Sequence, residues 1–330
     1  MLREYRFPGD AALMTDLIPK AFQYPENPDW SLQADELQNM VDDMAMIGRL
    51  WPLIKLTMML SPSLRDVLRG FVYEVDGQAV GMANLMTRGK SGRWIIGNVA
   101  VLPSHRRQGL ARKLVEACIA YAQQRKANVI LLDVIAGNVP AYELYRKLGF
   151  EDFQVSVELT MSGVAAPVTV PPLPAGYVLE PLGRFDWQDR YALARRITPS
   201  SVQAFDPVKI DQFKAPVAIR PIALIMSRFG GSRSKSFAVR QQASGQVVAV
   251  IRYAARVKAG GINDLNIRLD PAHAPLAPLL VSFLLDKLRA ISADRRIEVG
   301  VDRWQAAVVT ALCDAGFSVR HEMYRMGLRV

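Results

Sequence analysis

Pro103 and Pro271 stand 168 positions apart, Gly149 and Gly316 stand 167 apart, and each pair closes segments of the same local pattern. In the first copy, Phe71-Val72-Tyr73-Glu74-Val75, an Asp76-Gly77 turn and Gln78 to Leu85 predict a β-hairpin. A strand from Trp94 to Leu102 ends at Pro103. The helix after it, from about Gly109 to Lys126, carries Leu110, Leu114, Ala117, Cys118 and Tyr121 on one face. Val129 to Ile135 predicts a buried strand, Pro140 opens a helix that stops at Gly149, and Phe150 to Leu159 alternates as a closing strand. The second copy repeats the plan: Phe237 to Val239, a Ser244-Gly245 turn, Gln246 to Ala254, then Leu265 to Leu269 before Pro271. Leu276 to Ile291 is its long helix, Ile297 to Val301 its buried strand, and Val308 to Ala315 the helix before Gly316-Phe317. A period held so closely, over a unit much longer than a solenoid repeat, argues for duplication of one domain. Ser162 to Pro174, uncharged and rich in proline and small residues, reads as the link. The expected division is 1–160, a linker at 161–175, and 176–330, which suits a chain too long for one ordinary core.

The echo breaks in one place. His105-Arg106-Arg107-Gln108-Gly109-Leu110-Ala111-Arg112 in the first copy faces Ala272-His273-Ala274-Pro275-Leu276-Ala277-Pro278 in the second. The glycine and arginines are gone, and prolines replace backbone donors. Charge is divided unevenly as well: residues 1–165 hold 18 Lys/Arg and 18 Asp/Glu, whereas 166–330 hold 23 and 13. A basic half suits a solvated surface and leaves an acidic protein or nucleic acid open as partners, although no RNA-binding aromatic signature accompanies it.

Two distant cysteines, Cys118 and Cys313, build neither a disulfide framework nor a metal pair, which points to a reducing compartment. Met1 to Arg6 leads into no apolar signal core, and the longest apolar stretch, Leu50 to Leu60, is broken by Pro52 and Lys55. It is far shorter than the ~20 residues of a membrane span. A cytoplasmic protein with no membrane partner is expected.

The chemistry concentrates in the run Val99-Ala100-Val101-Leu102-Pro103-Ser104-His105-Arg106-Arg107-Gln108-Gly109-Leu110-Ala111, a strand, a short basic loop and a helix start. Free N–H groups at a helix N-terminus carry partial positive charge and bind phosphate. Gly109 lets a diphosphate approach the backbone, small Ala111 avoids crowding it, and Arg106, Arg107, Arg112 and Lys113 add charge. Arg88-Gly89-Lys90-Ser91-Gly92 predicts only a turn, because the first glycine of a phosphate loop would fall on Asn84. His105 reads as an exposed loop residue.

Two motifs resemble those of the GNAT acetyltransferases. Arg106 to Ala111 matches the family's Arg/Gln-x-x-Gly-x-Gly/Ala loop. Asn138-Val139-Pro140-Ala141-Tyr142-Glu143-Leu144-Tyr145-Arg146-Lys147-Leu148-Gly149-Phe150 matches its second hallmark, Asn…Ala…Leu-Tyr-x-Lys-x-Gly-Phe. The resemblance covers about residues 70–155 closely, 1–70 loosely, and the second copy as a fold echo. It implies an α/β fold of tandem GNAT-like domains, each a mixed, mostly antiparallel sheet flanked by helices, the second copy degenerate. It also implies acetyl-CoA as acyl donor, with no metal. Val99, Ala100 and Val101 would pair with the pantetheine arm, and Arg106, Arg107, Gln108, Gly109, Leu110, Ala111 and Arg112 would surround the diphosphate. Asn138 would contact the pantetheine arm or simply cap its helix. Tyr145 would protonate the departing thiolate or serve the core.

Many relatives carry a glutamate on the strand that here reads Ile95-Ile96-Gly97-Asn98-Val99, where no carboxylate stands. Asp133, five residues before Asn138, matches the glutamate of ribosomal-protein N-terminal acetyltransferases; it offers a base acting through water, or an anchor for the sheet. Glu74 is a remoter alternative. The implied activity is transfer of an acetyl group to a primary amine of a small molecule or protein, with a homodimer open. The rivals are a non-catalytic acetyl-CoA-binding regulatory module and an acetyltransferase of a nucleic-acid-associated target.

On the acceptor side, Leu37, Met40, Val41, Met44, Ile47 and Trp51 recur at helical spacing, and Pro52 is expected to interrupt that helix. Ser61-Pro62 predicts a short helix ending at Gly70. Met44, Met46, Met58 and Met59 suit either an adaptable wall or core packing. Arg228 to Lys235 suits either an acidic docking partner or a surface loop.

Overall fold

A computed structural model describes residues 1–60, 66, 69–87, 92–229 and 231–330, with the side chains of Leu60 and Ala218 left aside. The turn expected at Arg88 to Gly92 and the helix expected from Ser61-Pro62 fall largely outside the described residues. The first half runs β1 (Leu2–Glu4), α1 (Ala11–Ala21), α2 (Ala34–Leu60), β2 (Arg69–Val75), β3 (Gln78–Thr87) and β4 (Arg93–Val101). It continues through α3 (Leu110–Gln124), β5 (Val129–Ile135), α4 (Val139–Lys147) and β6 (Glu151–Met161). The second half runs β7 (Tyr177–Leu182), α5 (Gln188–Ile197), α6 (Ser200–Gln203), α7 (Arg220–Phe229), β8 (Ser232–Gln241) and β9 (Val247–Arg256). It ends with β10 (Asn263–Leu269), α8 (Ala277–Ser292), β11 (Ile297–Asp302), α9 (Ala306–Asp314) and β12 (Ser318–Arg329). Within the stretch Arg228 to Lys235, Arg228 and Phe229 therefore end α7 and Ser232 to Lys235 begin β8, with a bend at Gly231.

Among the described residues, twelve strands form one sheet in the order β1-β2-β3-β4-β5-β12-β6-β11-β10-β9-β8-β7. Pairing is antiparallel except at β4–β5 and β10–β11, so the sheet is mixed and mostly antiparallel, with helices on both faces. The order is palindromic: exchanging each strand of one half for its counterpart in the other reverses the sequence of neighbours. At its centre the two closing strands have changed places. β12 lies against β5 of the first half, Arg325 opposite Asp133, while β6 lies against β11 of the second, Val299 opposite Leu159. Each then pairs with the other, from Ser318 opposite Thr160 to Gly327 opposite Glu151. The two half-sheets are thus completed reciprocally.

Alternation along the strands assigns the faces. On one face Ile130, Leu132 and Val134 of β5 and Met326 of β12 pack with Leu114, Val115 and Cys118 of α3 and Tyr145 of α4. The same face of the second half packs on α8 and α9 around Leu265, Ile267, Leu280 and Leu284. On the opposite face, Met14, Leu17, Ile18 and Ala21 of α1 cover Val72, Met82 and Ala100.

The helix α2 does not stop at Pro52; it runs unbroken from Ala34 to Leu60. A proline clashes with the carbonyl four residues back and removes one hydrogen bond. Here that earlier residue is Gly48, whose backbone adjusts most freely and around which nothing lies within 4 Å of a notional Cβ. Met40 and Met44 pack on the first core, whereas Met59 is 66% exposed. The start of α2 is tied to the second half: Asp35 to Arg296 at 2.6 Å, Glu36 to Arg320 at 2.5 Å, and Asp42 to Arg256.

Candidate active site

The site begins where two parallel strands part. β4 and β5 are in register at Arg93–Val129, Trp94–Ile130 and Ile95–Leu131, and then diverge. On its other edge β4 stays bonded to β3, but between the pairs Asn84–Gly97 and Met82–Ala100 the register slips, and Asn98 takes φ +50. Such a bulge bends a strand and raises its twist, here opening a gap toward β5. The backbone of Val99, Ala100 and Val101 borders that gap, with Ala100 only 1% exposed.

A single turn over Pro103–His105 leads from β4 to α3. Arg107 has φ +63, and Gly109, the N-cap of α3, has φ +73. The first turn of α3 holds no acidic residue and the N-cap makes no side-chain hydrogen bond. Intrahelical bonding starts with Lys113 N–H donating to Gly109 O at 3.1 Å. The N–H groups before it therefore face outward without a helical acceptor. Leu110 (5% exposed) and Leu114 (0%) pin the helix to the core, so the loop presents Arg107, Gln108, Gly109 and Arg112 to solvent while Ala111 is half-buried. Nothing lies within 4 Å of a notional Cβ on Gly109, so the space above it is open.

Arg106 behaves differently from its neighbours. Its Nη2 donates to Ala21 O at 2.7 Å, its guanidinium lies 5.7 Å from the Tyr24 ring centroid, and its own N–H donates to Pro103 O. This side chain is a strut between the loop and the end of α1. Arg112 lies 3.7 Å from Glu116, and Lys113 sits over the Tyr73 ring.

Below the gap, Asn138 caps α4, its Oδ1 accepting from Ala141 N–H at 3.4 Å. Tyr145 is 6% exposed, packs edge-on to Phe150, and has the Tyr24 phenol and the Cys118 thiol as electrostatic neighbours. Burial, reinforced by those neighbours, raises the Tyr145 phenol well above the ordinary tyrosine range, so it stays protonated. Burial also pushes the Cys118 thiol up to about 12, which makes it inert. Tyr24 was not singled out from the sequence. It stands in the connection between α1 and α2, edge-on to Trp30; burial raises its phenol while Arg106 and a hydrogen bond from Asn138 oppose that rise. Tyr24, Asn138, Arg106 and Tyr145 therefore converge, yet no spacing rule joins an aromatic residue in that connection to a motif more than a hundred positions away.

Asp133 lies on the other face of the sheet from Tyr145, and its Oδ1 accepts from Arg325 Nε at 2.8 Å. Beside it on that face are Glu158 of β6 and His321 of β12, which pair across the strands. Burial raises the Glu158 carboxyl, and Asp133 adds to the rise. Burial lowers His321, helped by Arg320, while its Nδ1 lies 3.2 Å from Asp29 O. Glu74 is bonded to Arg3 at 2.8 Å. In the second half the corresponding turn, Pro271–Leu276, is closed by the protein itself: Asp270 accepts from Ala272 N–H at 3.0 Å, and Pro278 lies in the first turn of α8. No described helix is long and apolar enough to cross a membrane.

Fold and site together define an α/β protein whose sheet opens beside a helix start with outward-facing N–H groups. Residues 44–150 match the model of the acetyltransferase (GNAT) family. The chain is 33% identical over 116 residues to an N-alpha-acetyltransferase of Sulfurisphaera tokodaii, spanning 31% of this chain and 68% of that protein. It is 42% identical over 55 residues to the [ribosomal protein bS18]-alanine N-acetyltransferase of Escherichia coli, spanning 17% of this chain and 37% of that one. In fold it is similar over its full length to a tandem GNAT protein from the clavulanic acid biosynthesis pathway (TM-score 0.64, 16% identity, 98% of that chain). A GCN5-related N-acetyltransferase from Sphaerobacter thermophilus is similar to a comparable degree (TM-score 0.62, 17% identity, 99% of this chain and 95% of that one). The chain belongs to the GNAT family of acetyltransferases.

Proposed function

We propose that the protein transfers an acetyl group from acetyl-CoA to a primary amine of a small molecule or protein, with the cofactor in the first half and the second half degenerate as a cofactor site. The observation that carries this reading is the gap between β4 and β5, with Gly109 in the left-handed conformation at its mouth and protonated Tyr145 beneath it. The residues fit the cofactor: the cradle at Gly109 is one that side-chain bulk would fill, and the backbone N–H groups of the first turn of α3 lack helical acceptors. Gln108 to Arg112 would hold the diphosphate through backbone N–H groups, with Arg107 and Arg112 adding charge. Arg106 would contribute by holding the loop against α1. The backbone of Val99 to Val101 would pair with the pantetheine amides as an added strand, and Asn138 would meet the arm beside Tyr24.

Bound acetyl-CoA supplies a thioester as acyl donor. The chain's own tasks are to place an amine at its carbonyl, accept the amine proton and give a proton to the departing sulfur. Tyr145 suits the last task, because burial keeps its phenol protonated. Asp133, across the sheet from Tyr145 and bonded to Arg325, would either accept the amine proton through water or serve only to anchor the sheet. Its bond to Arg325 is the one observation that favours the second reading, an acetyl-CoA-binding module without turnover. Calorimetry with CoA, followed by thiol release from acetyl-CoA across a panel of amines, tests both. Binding with turnover on some amine supports the transferase, binding without turnover on any supports the module, and no binding removes both.

A further inference from the structure

We propose that the second half carries a ligand site of its own, separate from the cofactor gap, for a small organic polyanion: a phosphate ester or a polycarboxylate. The site is a cleft of about 650 Å³ between α5 and one face of β8, β9 and β10, a size typical of small-molecule pockets. Strand register sets its floor. Ser236, Arg252 and Asn266 form one row across the three strands, and Ala238, Val250 and Arg268 the next. Arg184, just after β7, and Arg190 of α5 close the cleft from above, and Leu193 and Phe213 give it an apolar wall. Among the described residues, four arginines and a lysine line this cleft, and no carboxylate does.

Little of that charge is neutralised within the protein. Arg190 is held by carbonyl oxygens: its Nη1 donates to Gly183 O at 2.9 Å and also to Asp186 O. Arg184 Nη2 donates to the Ser234 hydroxyl, at 3.3 Å. Arg268 is exposed and acts on Asp302 through space. Of the four arginines, Arg252 alone is ion-paired among the described residues, to Asp264. Asp264 and Asp302 stand beside the floor on the same sheet face; burial raises both carboxyls, opposed by Arg252 at Asp264 and by Arg268 at Asp302. Burial lowers Arg190, and Arg252 and Arg184 lower it further against the pull of Asp186 and Asp189. Guanidinium groups held this close repel one another, and a bound anion with several oxygen acceptors reverses the sign of that interaction.

The cleft is no remnant of a cofactor site. The start of α8, where a second diphosphate would bind, is on the opposite face of the sheet, and the turn that leads into it is capped by Asp270. Moving back 168 positions, Arg268 becomes Ala100 and Arg252 becomes Asn84, and the residue paired with Asn84 is Gly70 where Ser236 pairs with Arg252. In the first half Ala100 is covered by α1, with Met14 and Ile18 in the same core. One copy has kept the phosphate loop, while the other has gained arginines over the same sheet face.

The test is calorimetric titration of the full chain with inorganic pyrophosphate and, separately, with citrate, with and without saturating CoA to fill the Gly109 loop. One site per chain is expected to persist under CoA. Tighter pyrophosphate binding identifies a phosphate ester as the ligand class, and tighter citrate binding a polycarboxylate. Arg252→Gln/Arg268→Gln should weaken the tighter probe by at least about tenfold, since two charge-assisted hydrogen bonds are lost. Arg268→Lys should retain most of the affinity. If the double variant melts early, Arg268→Gln alone, at an exposed position, carries the comparison. Absence of binding by either probe, or unchanged binding in the arginine variants, overturns the proposal whether or not the chain binds CoA.

Discussion

Replacing Gly109 by alanine separates the two things this residue does. Its φ of +73 lies where an L-residue pays about 1–2 kcal/mol. Because a Cβ there meets nothing within 4 Å, no packing cost is added. The fold should lose about 1 kcal/mol, a shift of only a few degrees in Tm for a chain of this size. Cofactor affinity should suffer far more, because the new methyl group stands over the N–H array at the start of α3. If two hydrogen bonds to the diphosphate are lost at about 1.5–3 kcal/mol each, the Kd for CoA rises by at least about 100-fold. Gly245 is the control. It has φ +68, equally open surroundings, and a place in the turn between β8 and β9. Gly245→Ala should lose similar stability and keep CoA affinity. Calorimetry and thermal melts of the three proteins decide the matter. Undiminished CoA binding by Gly109→Ala, or an equal loss in Gly245→Ala, would refute the reasoning.

Tyr145→Phe should lower kcat by about 10²-fold or more while leaving KM for acetyl-CoA nearly unchanged, because only proton donation is removed; a loss confined to KM would assign the phenol to binding instead. Cys118 rises from 9.0 to about 12 on folding. A raised acid stabilises the fold fully below the unfolded value and loses that contribution as pH climbs above it, by about 1.4 kcal/mol per unit. Chemical denaturation at pH 8 and pH 10 should therefore show wild type losing more stability than Cys118→Ala over that interval, and parallel losses would contradict the burial argument. A fragment of residues 1–165 lacks β12 and so leaves β5 and β6 with bare edges. It should aggregate or pair with a second copy, and a stable monomer in size-exclusion chromatography with full CoA affinity would show that the exchanged strand is dispensable.

Much of the proposed cofactor loop is legible in sequence because it is local. A strand, a proline, a basic loop, a glycine and an amphipathic helix are contiguous, and the physics of a helix N-terminus depends on that order alone. The 168-residue echo likewise announced two related units, since turn residues and hydrophobic periods are short-range properties. The sequence does not resolve the long second-half segment holding α5, α6 and α7 into elements, and the interruption it predicts at Pro52 does not occur because that effect depends on how freely the backbone at Gly48 adjusts. Sequence groups Arg106 with the other loop arginines, because it records charge but not the contact with Ala21 O. Sequence does not show the partner of Asp133, because Arg325 is 192 positions away.

What the amino-acid order determined by itself, then, was the duplicated plan and the loop from Val99 to Arg112, both written in neighbouring residues. Tertiary structure alone decided which strand completes which half. β6 and β12 both alternate apolar and polar residues, and either would satisfy the edge of β5; only the packing of both halves at once selects the exchange. The same long-range choice brought Arg325 to Asp133 and set Arg252 beside Arg268 under α5, because side-chain charge acts through space rather than along the chain.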